Sequence, residues 1–96
     1  MGTKVIGLIQ VTDTNAFNVY RSRVGVTVEK FNGCVRYRGV RTQWFWNQLD
    51  CGEFNAFVEL EFPNSDDARR WAASEDYLSL LEIRDQAMRL SLFAVE

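Results

Sequence analysis

The chain opens on a run of apolar and β-branched residues, Lys4 to Val11 (KVIGLIQV), which stops at Thr12-Asp13-Thr14. Such a run predicts a strand, and Asp13 or Thr14 supplies the side-chain oxygen that caps a following helix. From Phe17 the apolar positions recur as Phe17, Tyr20, Val24, Val28 and Phe31. At 3.6 residues per turn these share one face, so the spacing predicts a helix from about Thr14 to Lys30. Asn32-Gly33 follows, the two residue types that best tolerate a left-handed backbone, and should end it. Cys34 to Arg41 (CVRYRGVR) alternates as a strand does, which places Val35 and Tyr37 on one face and Cys34, Arg36 and Arg38 on the other.

Residues Thr42 to Glu53 hold no sustained period and include Asn47, Asp50 and Gly52, the composition of a long connection between strands. Phe54 to Phe62 is the cleanest alternation in the chain. Phe54, Ala56, Val58, Leu60 and Phe62 fall on one face, and Asn55, Phe57, Glu59 and Glu61 on the other. Pro63 ends that strand, Asn64 or Ser65 caps a helix, and Asp66 and Asp67 in its first turn carry the sign that the helix dipole favours. Ala68, Trp71 and Ala72 form its apolar stripe. Ser74 with Glu75 and Asp76 reads as a fresh cap, so the helix should break there, with Tyr77, Leu80, Leu81, Arg84 and Met88 continuing at helical spacing. Arg89 to Val95 is the last strand. The order β-α-β-β-α-β predicts one α+β, ferredoxin-like domain over residues 1–96, an antiparallel sheet with its helices on one face.

Composition changes this picture in one respect. A domain of 96 residues leaves roughly a third of its unfolded surface in water, and this one is 47% hydrophobic and 14% aromatic. Association of two copies is the natural outlet, so a homodimer is expected. Eleven basic against thirteen acidic residues give a net charge of −2, which leaves no electrostatic footprint for nucleic acid. No apolar run reaches the length that spans a bilayer, and the N-terminus lacks the layout of a signal peptide, so no membrane partner and a cytoplasmic location are expected. Cys34 and Cys51, without metal or redox spacing, are then free thiols. The chain has no histidine. That removes the Ser-His and Cys-His nucleophile pairs and most zinc or non-haem iron sites. No phosphate-binding or dinucleotide fingerprint is present, so neither a metal nor an organic cofactor is expected.

A family resemblance covers essentially the whole chain. It is carried by Val11-Thr12-Asp13 at the end of the first strand, Tyr20 in the first helix, the turn Asn32-Gly33 and the strand end Arg38-Gly39-Val40. The strongest part is the run Glu61 to Asn64 (EFPN), followed by Ala68, Trp71, Ser74, Tyr77 and Arg84 in order, and an apolar strand closing on Val95-Glu96. The ordered set resembles the bacterial family of domain of unknown function 1330. The resemblance implies a ferredoxin-like subunit that pairs through its sheet into a dimeric α+β barrel, a fold whose other members include cofactor-free monooxygenases, isomerases and cyclases of bacterial biosynthetic pathways. Asn32 and Val40 stand where the family has glycines, and Gln10 where many members have an acidic residue.

If the helices cover the apolar rows, the other sheet face carries Arg36, Arg38, Asn55, Phe57, Glu59 and Glu61. On a functional reading, Arg38 holds an anionic or enolate oxygen while Glu59 or Glu61 moves a proton, and Arg36, Phe57, Trp44, Trp46 and Tyr20 contact the ligand. That ligand would be a small aromatic or polyketide-like acid or enol. On the structural reading, an arginine pairs with a glutamate across neighbouring strands to neutralise charge, Trp44 to Trp46 pack on a partner subunit, and Tyr20 and Tyr77 belong to the core. The functional reading gives a cofactor-independent cyclase, isomerase or monooxygenase; the other gives a non-catalytic metabolite-binding or structural dimer.

Overall fold

In the computed structural model, which describes residues 2–96, the elements in chain order are β1 (Thr3–Val11), α1 (Thr14–Glu29), β2 (Cys34–Val40) and β3 (Ala56–Phe62). They continue as α2 (Ser65–Ala72), α3 (Glu75–Leu78), α4 (Leu81–Ala87) and β4 (Met88–Val95). The strands form one antiparallel sheet in the order β2-β3-β1-β4, and the second helical segment is broken into three. This is the α+β ferredoxin-like fold that the element order predicts.

The helix ends follow from single side chains. The Ala16 N–H donates to Asp13 Oδ1 (3.0 Å), the Asp67 N–H to Asn64 Oδ1 (2.8 Å) and the Tyr77 N–H to Ser74 Oγ (3.1 Å). Each satisfies a donor that the first helical turn leaves without a partner. Asn32 takes the left-handed conformation that ends α1 (φ 67°). Gly33 serves a different need. A Cβ there would lie 2.6 Å from the Phe62 ring and 2.8 Å from Val28, and both neighbours are fully buried, so only glycine lets the chain enter β2 this close to the core.

The alternation of β1 is realised residue by residue: Thr3, Val5, Gly7 and Ile9 are buried, and Lys4, Ile6, Leu8 and Gln10 face the other way. Val5 and Ile9 pack with Leu60 and Phe62 of β3, with Tyr20, Val24 and Val28 of α1, and with Trp71 and Tyr77 from the second helical segment. The Phe62 and Trp71 rings lie 5.6 Å apart, and those of Trp71 and Tyr77 4.4 Å. Strand β3 begins two residues later than its sequence pattern suggests, because Asn55 is drawn into bridging the strands. Its N–H donates to the Ile9 carbonyl (2.8 Å), its side-chain oxygen accepts from the Val11 N–H (3.1 Å), and its carbonyl accepts from the Arg41 N–H (3.0 Å). Phe54 therefore lies in the connection rather than in the inward row.

One departure decides where the chemistry sits. The β2-β3 register pairs Val35 with Leu60, but then Tyr37 with Glu59, Arg38 with Val58 and Val40 with Ala56, so a β-bulge at Arg36 inserts one residue. Beyond a bulge every side chain changes face. Tyr37, expected among the inward residues, lies on the open face with its ring edge-on to Phe57 (6.1 Å). Arg38, expected on the open face, points to the helix side, beside Val58.

Candidate functional site

A cavity of about 340 Å³ lies between α1 and the helix-facing side of the sheet. Its floor is Ile9, Ala56, Val58, Leu60, Leu90 and Leu92; its roof is Phe17, Tyr20 and Val24 of α1, and Trp71 closes its inner end. The polar groups among these apolar walls are few. Arg38, from the edge strand β2, Arg21, from α1, and Asn55, just ahead of β3, line it while remaining exposed, and so mark its solvent-facing rim. The Arg21 guanidinium lies over the Phe17 ring, 5.3 Å from its centre. Among the described residues, no aspartate or glutamate contributes to the lining. In a chain of net charge −2, an apolar cavity rimmed by two guanidinium groups and no carboxylate has the chemistry to suit an anion or a group that takes up negative charge.

The wall beneath α1 is held by hydrogen bonds. The Trp71 indole N–H donates to Thr27 Oγ1 (3.0 Å), and that hydroxyl donates to the Val24 carbonyl (2.7 Å), which fixes the indole plane. The hydroxyls of Tyr20 and Tyr77 lie 3.0 Å apart, and Arg84 Nη1 donates to Tyr77 Oη at 3.0 Å. Burial, reinforced by the neighbouring phenol, pushes the Tyr20 phenol far above its ordinary value, while the Arg84 and Arg38 cations pull weakly the other way. Tyr20 is therefore a neutral hydroxyl in the cavity wall, suited to donate a hydrogen bond and not to act as a base.

The structure separates the residues that sequence spacing had put on one surface. Arg38 and Tyr20 line the cavity, and Phe57 contributes to its rim while its ring leans on Tyr37. Glu59 and Glu61 lie on the opposite face of the sheet, where each meets a cation. Lys4 Nζ is 2.7 Å from Glu59 and 4.0 Å from Glu61, and Arg36 Nε is 3.4 Å from Glu61. The hydrogen bond to Glu59 raises the Lys4 pKa above its ordinary value. The bulge is the reason for the separation: it leaves Arg36 with the glutamates and turns Arg38 away from them. The Arg36–Glu61 contact is the cross-strand pairing that the structural reading anticipates.

Trp44 and Trp46 line no part of the cavity. Trp44 packs edge-on against Phe54 (5.4 Å) and beneath the Arg41 guanidinium, 4.8 Å from its ring centre, and Arg41 Nε donates to the Phe54 carbonyl (2.8 Å). Trp46 is 81% exposed, and Phe45 and Leu49 beside it are equally bare. Arg84 forms no ion pair with Asp13, Glu61 or Asp76; the carboxylate near it is that of its neighbour Asp85, 3.6 Å from Nε. Asp13 is occupied by the α1 cap and by Gln86, Asp76 by Lys30, and Arg84 turns to Tyr77. Cys34 and Cys51 are free. The sequence reading missed Arg21, and it set Asn55 on the open face without a role, whereas Asn55 lines the cavity. Arg21 follows Phe17 by one helical turn, a spacing that could have placed it at the edge of the same face; nothing local marks Asn55.

The model of the family described as Domain of unknown function (DUF1330) matches residues 5–96. The chain belongs to this family. Tyr20 and Trp71, part of the pattern by which the sequence resembles DUF1330, line the cavity, and Tyr77 and Arg84, from the same pattern, back them by contact with Tyr20 and Trp71 and with each other. No curated protein matches this DUF1330 chain. Among solved structures, a protein of unknown function from Rhodopseudomonas palustris is similar with a TM-score of 0.79 at 14% identity, over 98% of this chain and 80% of that one. SnoaB, a cofactor-independent oxygenase from Streptomyces nogalater, gives 0.69 at 11% identity, over 99% and 91%. A dimeric protein of unknown function with a ferredoxin-like fold, from Bacteroides fragilis NCTC 9343, gives 0.59 at 17%, over 99% and 95%. At these identities the likeness is one of fold. Among the described residues of this DUF1330 chain, no helix is long and apolar enough to cross a membrane.

Proposed function

We propose that this chain is a homodimer that binds a small, planar, largely apolar acid or enol in the cavity beneath α1. We further propose that it acts on that molecule as a cofactor-free enzyme of the cyclase, isomerase or monooxygenase type. The observation that carries the reading is the lining itself: apolar walls of ligand size, two arginines at the rim and no carboxylate. Arg38 and Arg21 take the developing or fixed negative charge of the ligand, Tyr20 offers a hydroxyl, and Leu60, Val58 and Trp71 hold the ring system. A base is not required of the protein when the ligand is acidic enough to enter as its anion. The likeness of fold to SnoaB, a cofactor-independent oxygenase, supports this class of chemistry by analogy.

The open face serves the dimer. Ile6, Leu8, Tyr37, Phe57, Phe93 and Val95 lie on it by register, with Lys4, Arg36, Glu59 and Glu61 pairing their charges among them. Tyr37, Phe93 and Val95 are exposed in the single subunit, as an unpartnered interface requires.

The test is turnover of a panel of aromatic and polyketide-like enols and acids by Arg38→Ala and Glu59→Gln. Loss in the first variant with retention in the second is expected. Retention in Arg38→Ala with loss in a folded, dimeric Glu59→Gln would move the site to the open face. Binding without turnover of any panel member would leave the non-catalytic metabolite-binding dimer as the better reading.

A further inference from the structure

The hydrogen bonds behind the cavity wall have a fixed direction. An arginine has no acceptor, so the bond between Arg84 Nη1 and Tyr77 Oη (3.0 Å) runs from arginine to phenol. Tyr77 is 3% exposed, and among the described residues the hydrogen-bonding neighbour left for its own proton is Tyr20 Oη, 3.0 Å away. The reverse arrangement, Tyr20 donating to Tyr77, would strand the leftover proton on Tyr77, which does not line the cavity, whereas this one leaves it on Tyr20, which does. The chain of donors therefore runs Arg84 to Tyr77 to Tyr20. The Tyr20 proton is left over, on a side chain that lines the cavity.

We infer that Tyr20 is the hydrogen-bond donor for an oxygen of the ligand, that Tyr77 and Arg84 are positioning residues that orient and polarise that donor, and that the ligand carries a carbonyl, carboxylate or enolate oxygen. This rests on the proposed reading of the cavity as the ligand site and narrows its ligand class. An O–H polarised through a relay that ends in a cation strengthens its own donation as charge grows on the acceptor. A planar ligand without such an oxygen would leave the Tyr20 hydroxyl buried and unpaired, so the relay rejects plain hydrocarbons of the same shape. Trp71, held to Thr27 (3.0 Å) and packed on Tyr77 (4.4 Å between ring centres), keeps the relay in register with the cavity.

The experiment uses two probes of one shape, 2-naphthoate and naphthalene, titrated into the full-length protein and followed through the Trp71 indole N–H by NMR. The expected result is that wild-type protein prefers 2-naphthoate. Tyr20→Phe should then weaken 2-naphthoate by about tenfold or more, the range for one hydrogen bond to a charged group, and change naphthalene by less than about twofold. Tyr77→Phe and Arg84→Met should weaken 2-naphthoate in the same direction, and Arg84→Lys, which restores a cationic donor, should recover most of the loss. A merely structural role would move both probes together and would not be rescued. Equal effects on both probes, or none, in Tyr20→Phe overturn the inference while leaving the cavity as a binding site. Failure of wild-type protein to bind either probe overturns the site reading and the inference with it.

Discussion

Replacing Ala56 by leucine tests the cavity through the sign of a stability change. Ala56 lies on the helix-facing side of β3, half-buried, in the cavity lining. The substitution adds three carbons, and burying each is worth about 0.8 kcal/mol, a ceiling near 2.4 kcal/mol for complete burial. Part of the new side chain stays at the rim, and ordering a leucine costs about 0.5–1 kcal/mol, so a net gain of about 1 kcal/mol is expected. In a filled core the same three carbons would destabilise by roughly 1–3 kcal/mol. The assay is urea denaturation at one fixed protein concentration, because the midpoint of a dimer depends on concentration. With a slope of about 1–3 kcal/mol per molar urea, the midpoint should rise by roughly 0.3–1 M. Binding of 2-naphthoate should fall in the same variant, since the added methyls occupy the ligand's place. A midpoint lowered by an equal amount would mean that the space beneath α1 is not available to be filled.

Leu60→Ala should destabilise by about 2–3 kcal/mol, the low end of the range for a buried leucine, because Leu60 (3% exposed) borders a space that is already open; an unchanged denaturation midpoint would contradict its placement. Asp13 gives a pH signature. The Ala16 N–H, with Gln86, holds its carboxyl below the usual value, so its contribution is present above the unfolded-state value near pH 4 and is lost as pH falls through the lower folded-state value. Asp13→Asn should therefore show a shallower loss of stability in acid than wild type, by denaturation followed from neutral pH downward; parallel curves would refute the role of that charge.

Most of the fold was legible because its signals are local. The caps at Asp13, Asn64 and Ser74 and the left-handed stop at Asn32 each act within a few residues, and β1 is marked by its apolar, β-branched run and β3 by its alternation. The site was less legible because it turns on one inserted residue. In Cys34 to Val40 the alternation is equally regular with or without a bulge, and what selects the bulge is pairing with β3, which lies some twenty residues away in sequence. One clue was present: Val35 and Val40 are five apart, an odd spacing, so both can face the helices only if a residue is inserted between them. Taken at face value, the alternation put Arg38 with Glu59 and suggested an acid-base pair. With the bulge, Arg38 joins Tyr20 and Arg21, and the glutamates fall to Lys4 and Arg36. Tyr77 and Arg84 could be read as core residues from their spacing, but the direction of their hydrogen bonds exists only once α3 and α4 are folded against α1.

The most direct test is a crystal structure of the protein grown with 2-naphthoate. The account predicts the ring system between α1 and the sheet, against Leu60 and Trp71, its carboxylate reached by Arg38 and Tyr20, with a second copy of the chain covering Tyr37 and Phe93 on the opposite face. The ligand seated instead on the open face beside Glu59, or the space beneath α1 closed by the Arg38 side chain, would contradict it.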